Sequence, residues 1–240
     1  MASDRKILDG RKVLVADDEP FNLSIIVRMM RDLGCYELTA VATGGEALQA
    51  LDGVGKKFNL AVLDFNMPGA NGLQILKQLR TGTLPVPRET HVMMLTGSSD
   101  FGLVGAAMAL DVDAFIIKPV SQQAMAARLE KVFGQKTELK SPEDYSKIDI
   151  EAVSQRLLSR KPVGLVRAKA EAKKTANGLP VRLESVKPGA ILSEDVRSPN
   201  GELLLGKATM LSERLIRRLI ELQSMLKLDY VYVFPPSSES

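Results

Sequence analysis

The sequence predicts an α/β fold: a doubly wound, five-stranded parallel sheet, followed by a linker and a small α+β domain. Three observations lead there. From Lys12 to about Gln135, short β-branched apolar runs alternate with stretches of helical periodicity. The runs are continuously apolar, as strands buried on both faces must be. Beyond them the pattern loosens into a polar and basic stretch, and order returns near Leu179. With 240 residues the chain has room for two small domains.

The elements follow in order. Lys12–Ala16 reads as a buried strand ending in acids, and Phe21–Leu33 as a helix carrying Leu23, Ile26, Met29, Met30 and Leu33. Gly34 is its stop signal. Leu38–Val41 is the second strand, Gly44–Leu51 a helix, Leu60–Asp64 the third strand and Gly72–Leu79 a helix. His91–Thr96 is the fourth strand, Gly102–Leu110 a helix rich in small residues, and Ala114–Ile117 the fifth strand. Ser121–Phe133 closes the series as a helix with Ser121 as its N-cap. Alternation of this kind predicts a parallel sheet covered by helices on both faces.

Lys140–Lys147 is turn-like and polar, a linker by composition, and Ile148–Leu158 carries a helical pattern. Lys161–Gly178 is basic and Ala/Lys-rich without an apolar face. Val181–Val186 begins with alternation, Lys187–Gly189 is a turn, and Ile191–Val196 reads as a strand. Pro199-Asn200-Gly201 signals a hairpin before Leu203–Leu205. Ser212 caps a helix with the stripe Leu215, Ile216, Leu219, Ile220 and Leu222, and Asp229–Phe234 is a closing strand. The expected organisation is a first domain over 1–135, a basic and partly helical linker over 136–179, a small α+β module over 180–235, and a disordered tail over 236–240.

A composition of 45% hydrophobic and 25% charged residues suits a soluble globular protein, and a net charge of +3 does not by itself imply a polyanion partner. Cys35 is the only cysteine, which excludes an intrachain disulfide and a cysteine-based zinc site and reads as a small buried apolar group. The start lacks the apolar core of a signal peptide, and no apolar run is long enough to cross a bilayer, so a cytoplasmic protein without membrane contact is expected.

In an open parallel sheet, ligands bind beyond the carboxyl ends of the strands. The polar residues expected there are Asp17 and Asp18 after the first strand, Asp64 after the third, Thr96 after the fourth and Lys118 after the fifth. Alone, each has an ordinary role: an acidic pair caps a helix, and Asp or Lys-Pro opens a turn or helix. Together, three carboxylates repel unless a cation joins them, and an oxygen-rich set without His or Cys suits Mg²⁺. Such an ion would screen Asp64 against a negatively charged phosphoryl donor. Asp64 then serves as nucleophile, Lys118 and Thr96 contact phosphoryl oxygens, and the Asn66 backbone carbonyl offers a further metal ligand.

The runs Val-Leu-Val-Ala-Asp-Asp-Glu-Pro, Leu-Asp-Phe-Asn-Met-Pro-Gly-Ala-Asn-Gly, Met-Leu-Thr-Gly and Phe-Ile-Ile-Lys-Pro-Val resemble the signatures of two-component receiver domains. The resemblance covers roughly Arg11–Gln135 and implies a flavodoxin-like fold. It also implies Mg²⁺ held by Asp17, Asp18 and Asp64, phosphorylation of Asp64, phosphate readout by Thr96 and Lys118, and an aromatic switch at Phe115. The implied phosphoryl donor is a histidine kinase or phosphotransfer protein. His91, the only histidine, begins a strand and is expected at the surface, outside the exposed helical setting of a phosphodonor.

The segment Val181–Val233 resembles a small module found beside receiver and HD-GYP phosphodiesterase domains. One histidine cannot supply a phosphodiesterase metal set, so no output enzyme is expected. No helix-turn-helix pair can be placed after the linker. Arg214, Arg217, Arg218 and Glu221 share one helical face, read as a solvated surface. Between Ser154 and Lys174 seven basic residues face one acid, without interleaved aromatics, and a solvated linker is favoured over a nucleic-acid contact. The favoured function is a response regulator that switches a protein–protein contact or homodimer. The alternative is a phospho-regulated nucleic-acid-binding regulator acting through the basic linker.

Overall fold

Val13, Leu14, Val15 and Ala16 are fully buried in the first strand, β1 (Lys12–Ala16), as the continuous apolar run requires. The computed structural model describes residues 6–53, 57–97, 101–134, 139–150 and 178–235. After β1 come α1 (Pro20–Asp32), β2 (Glu37–Val41), α2 (Gly44–Asp52), β3 (Leu60–Asp64) and α3 (Gly72–Thr81). Then follow β4 (His91–Thr96), α4 (Phe101–Ala109), β5 (Ala114–Ile117), α5 (Gln122–Phe133) and α6 (Pro142–Ser146). The chain divides into two units, Met1–Asp100 with Ala107–Ile148 and Phe101–Ala106 with Asp149–Ser240.

The strands form one sheet in the order β2-β1-β3-β4-β5, every pair parallel. This is the doubly wound parallel sheet that the alternation predicts, in the flavodoxin-like order that the receiver resemblance implies. Successive strand side chains point to opposite faces. Val13, Val15, Leu60, Val62, Met93 and Leu95 therefore share one face, packed with Ile26 and Met30 of α1 and Met125 and Leu129 of α5. Full burial of each such side chain contributes roughly 1.5–3 kcal/mol. Ser121 caps α5 as expected, and Thr43 and Asn71 cap α2 and α3 in the same way, each accepting a backbone N–H with its side chain. From β1 the chain moves to the edge at β2, then passes back beyond β1 to β3. The winding therefore reverses between β1 and β3, and a crevice opens at their carboxyl ends.

Where a turn-rich linker is expected, Lys140–Lys147 contains the short helix α6 and packs on this unit. Ser141 caps it by accepting the Asp144 N–H. The burial of Tyr145, which composition cannot reveal, anchors the segment: its hydroxyl donates to Asp111 Oδ2 at 2.7 Å and accepts the Lys140 N–H at 3.0 Å. Lys77 Nζ donates to the Ile148 carbonyl at 2.7 Å, and Lys140 Nζ to the Ala109 carbonyl at 2.9 Å.

In the second unit, β6 (Leu179–Arg182) pairs antiparallel with β9 (Tyr230–Val233), while β7 (Val196–Arg197) and β8 (Leu203–Leu205) form a hairpin. Gly201 has φ +82°, the left-handed conformation that the Asn-Gly turn signal anticipates. Ile191–Val196 is not one strand. Ile191 and Leu192 bridge Met210 and Val233, and the polar Ser193–Asp195 bends the chain before β7. The helices α7 (Glu213–Glu221), capped by Ser212, and α8 (Gln223–Leu226) precede β9. On α7 the expected solvated face is only partly solvated: Arg218 and Glu221 are buried and ion-paired to each other. Periodicity cannot separate an exposed charged face from a charge pair carried into the interior. Apart from Ile148–Ile150 and Gly178, the helix expected at Ile148–Leu158 and the basic stretch Lys161–Gly178 lie outside the described residues, as does the 236–240 tail.

Candidate functional site

The crevice gathers side chains that are far apart in sequence. Asp17 and Asp18 follow β1 directly, where the strand stops before Pro20 at the first turn of α1. Asp64 ends β3, Thr96 ends β4, and Lys118 follows β5. Asp17 is fully buried and Asp64 nearly so, whereas Asp18 is exposed. Carboxylate oxygens of these three residues lie within 4.8 Å of one another. Lys118 Nζ reaches across the crevice to Asp64 Oδ1 at 2.8 Å and to Asp17 Oδ2 at 3.0 Å. Its backbone is fixed by the Lys118 N–H, which donates to the Thr96 carbonyl at 2.8 Å, and the Lys118–Pro119 peptide is cis.

One ammonium faces three carboxylates, and the titration behaviour reflects that imbalance. Burial pushes the Asp64 carboxyl up to about 6; Lys118 opposes the shift, and the charges of Asp17 and Asp18 add to it. Burial would lower the Lys118 ammonium, but its pairs with Asp64 and Asp17 outweigh this and raise it. Burial above all makes Asp64 costly to ionise, and the Asp64 and Asp17 carboxylates keep Lys118 charged.

The cluster fits a hard divalent cation. All three candidate ligands are carboxylates, and the buried Asp17 Oδ2 makes no hydrogen bond beyond its ion pair. A cation would supply the missing positive charge. Asn66 stands exposed two residues beyond Asp64.

Thr96 is fully buried, its hydroxyl donating to the Gly97 carbonyl at 3.3 Å. Phe115 is buried as well, its ring 6.4 Å from that of Phe65. His91 is half-buried rather than a free surface residue. Its Nδ1 lies 3.4 Å from Asp113 Oδ1, and its ring packs edge-on against Phe133 at 5.2 Å. Cys35 is buried as expected, and burial pushes its thiol up.

In the sequence Gly72 begins a helix and closes the signature run Leu63–Gly72. A Cβ there would stand 2.3 Å from the Asp64 carbonyl oxygen, closer than any side chain tolerates. The Gly72 N–H also donates to the Phe65 carbonyl at 3.1 Å. Glycine therefore lets α3 begin directly against the strand end that carries Asp64, and α3 is fixed by a capping box between Asn71 and Gln74. Only the spacing Asp64-to-Gly72 in the sequence hints at this role.

A family model for the response regulator receiver domain matches residues 13–130. The chemotaxis protein CheY of Pseudomonas aeruginosa is 30% identical over 124 residues, which are 51% of this chain and 95% of that protein. The alkaline phosphatase synthesis transcriptional regulatory protein PhoP of Bacillus subtilis is 28% identical over 140 residues, 58% of this chain and 55% of that protein. A response regulator receiver domain protein from Clostridium thermocellum superposes with a TM-score of 0.46 at 24% identity, covering 52% of this chain and 94% of that one. With the acid-lined crevice at the carboxyl ends of a five-stranded parallel sheet, the receiver-domain model and the match to the Pseudomonas CheY identify the chain as a member of the two-component response regulators.

Proposed function

We propose that Asp64 is the phosphoacceptor of this response regulator, using Mg²⁺ held by Asp17, Asp18, Asp64 and the Asn66 backbone carbonyl. The observation that carries the reading is the charge imbalance: Lys118 alone sits 2.8 Å from Asp64 and 3.0 Å from Asp17, within a cluster of three acids. The cation neutralises this cluster and the charge of the transferring group. An Asp64 carboxylate oxygen attacks phosphorus, the bond from phosphorus to the donor breaks, and the donor leaves with that electron pair. Lys118 offers its ammonium to a phosphoryl oxygen, and the Thr96 hydroxyl turns from the Gly97 carbonyl to another. Phe115, one strand away, follows Thr96 as the switch.

The donor is a histidine kinase or phosphotransfer protein. The output is a protein–protein contact or homodimer that forms when the phosphorylated conformation is populated. Mass spectrometry after incubation with acetyl phosphate and Mg²⁺ tests the reading. Wild type should gain one phosphoryl group only when Mg²⁺ is present, Asp64→Ala none, and light scattering should show the mass double on phosphorylation. A phosphoryl group on Asp64→Ala would displace the acceptor assignment. An unchanged mass in the phosphorylated protein would remove dimerisation as the output.

A further inference from the structure

The second unit leaves an aromatic face uncovered. Along β9, Val231 and Val233 are buried, while Tyr230 and Tyr232 point outward at 46% and 37% exposure, with Phe234 next in line at 37%. Outward residues on a strand recur every ~6.7 Å, so three rings form a regular row. Leu192 pairs with the inward Val233 and is fully buried, which puts its neighbour Ile191 and the bridge partner Met210 on the outward side. Cations flank the rings. The Arg182 guanidinium, opposite Tyr230 in the sheet register, lies 5.9 Å from that ring, and Lys207 Nζ lies 5.8 Å from the Phe234 ring. Acids lie beside these cations as well: Glu184, which also accepts from Gln223 at 2.9 Å, and Asp229 near Arg182, and Asp195, which holds Arg197 at 2.7 Å and the Lys207 N–H at 2.9 Å, near Lys207.

We propose that this face binds single-stranded nucleic acid, with bases stacked on Tyr230, Tyr232 and Phe234 and phosphates met by Arg182 and Lys207. Exposed rings accept the π-face of any base, and flanking cations track the backbone. Charge complementarity selects this occupant over an apolar peptide, because the groups paired with the rings are positive.

The test is fluorescence anisotropy of labelled single-stranded RNA and DNA of about 15 nucleotides with the full chain, across a salt series. Wild type should bind in a salt-dependent manner. Tyr230→Ala and Tyr232→Ala should each weaken binding roughly tenfold. Tyr232→Phe should retain it, and Arg182→Gln should reduce the salt slope by about one. All three sites are exposed, so unchanged thermal melts are expected and separate lost binding from lost folding. No binding at low salt would overturn the proposal. So would binding that survives the Tyr230→Ala/Tyr232→Ala pair, which would assign it to the basic stretch alone. A mass doubling that this pair abolishes without any oligonucleotide binding would assign the face to a second copy of the chain instead.

Discussion

The two ends of the one sheet bury charge in opposite ways. At the amino ends of β4 and β5, the guanidinium of Arg80 is fully buried. It pairs with Asp113 Oδ2 at 2.7 Å and donates to the carbonyls of Thr90 at 3.0 Å and Asp111 at 3.2 Å. Asp113 Oδ2 also accepts the Val92 N–H at 2.8 Å, and Asp111 accepts the Tyr145 hydroxyl at 2.7 Å. Each charge there meets an opposite charge and further hydrogen bonds, the condition under which burial is tolerated. At the carboxyl ends, Asp17 and Asp64 share Lys118, and the third carboxylate of the cluster, Asp18, is open to solvent. The first arrangement is closed and serves stability; the second is unbalanced, which is the property that the proposed cation and phosphoryl site rests on. A fold can hold the second because the first, with the strands between them, fixes the backbone.

Substitutions at the two ends should separate these roles. The largest effect is expected at the closed end. Arg80→Ala leaves Asp113 buried without its guanidinium and should cost about 3–5 kcal/mol in urea unfolding. A loss near zero would mean that solvent reaches Asp113 and that this end is not closed.

At the open end the effect should depend on pH and carry the other sign. In the metal-free protein the Asp64 carboxyl is raised from 3.8 to about 6, so the folded state holds that proton more tightly than the unfolded chain. The resulting stability is present below the unfolded value and is lost as pH rises through about 6. Its size is on the order of 3 kcal/mol. Asp64→Asn should flatten this part of the stability–pH curve measured with a chelator present, and Mg²⁺ should flatten it in wild type. An identical slope in both proteins would show that the crevice carries no net electrostatic strain.

The smallest of the three belongs to the segment beyond α5. Tyr145→Phe keeps the ring but removes the hydroxyl from Asp111, and should cost ~1–2 kcal/mol without changing phosphorylation of Asp64. A change in the phosphorylation rate would instead tie this segment to the opposite end of the sheet.

The sequence by itself determined the alternating elements and the placing of Asp17, Asp18, Asp64, Thr96 and Lys118 at strand ends. Continuous apolar strands and capped amphipathic helices are local patterns, and they fix the direction in which a parallel sheet presents its carboxyl ends. The cap residues Ser121 and Ser212 and the Asn-Gly hairpin were legible for the same reason. What only the tertiary structure decided are contacts between residues that no short pattern links. Tyr145 with Asp111, Arg218 and Glu221 inside α7's packed face, Gly72 against the Asp64 carbonyl, and His91 against Asp113 all depend on distance after folding. A polar or aromatic residue carries the same local signal whether it faces water or a partner. Burial and charge pairing are set by what the rest of the chain brings alongside.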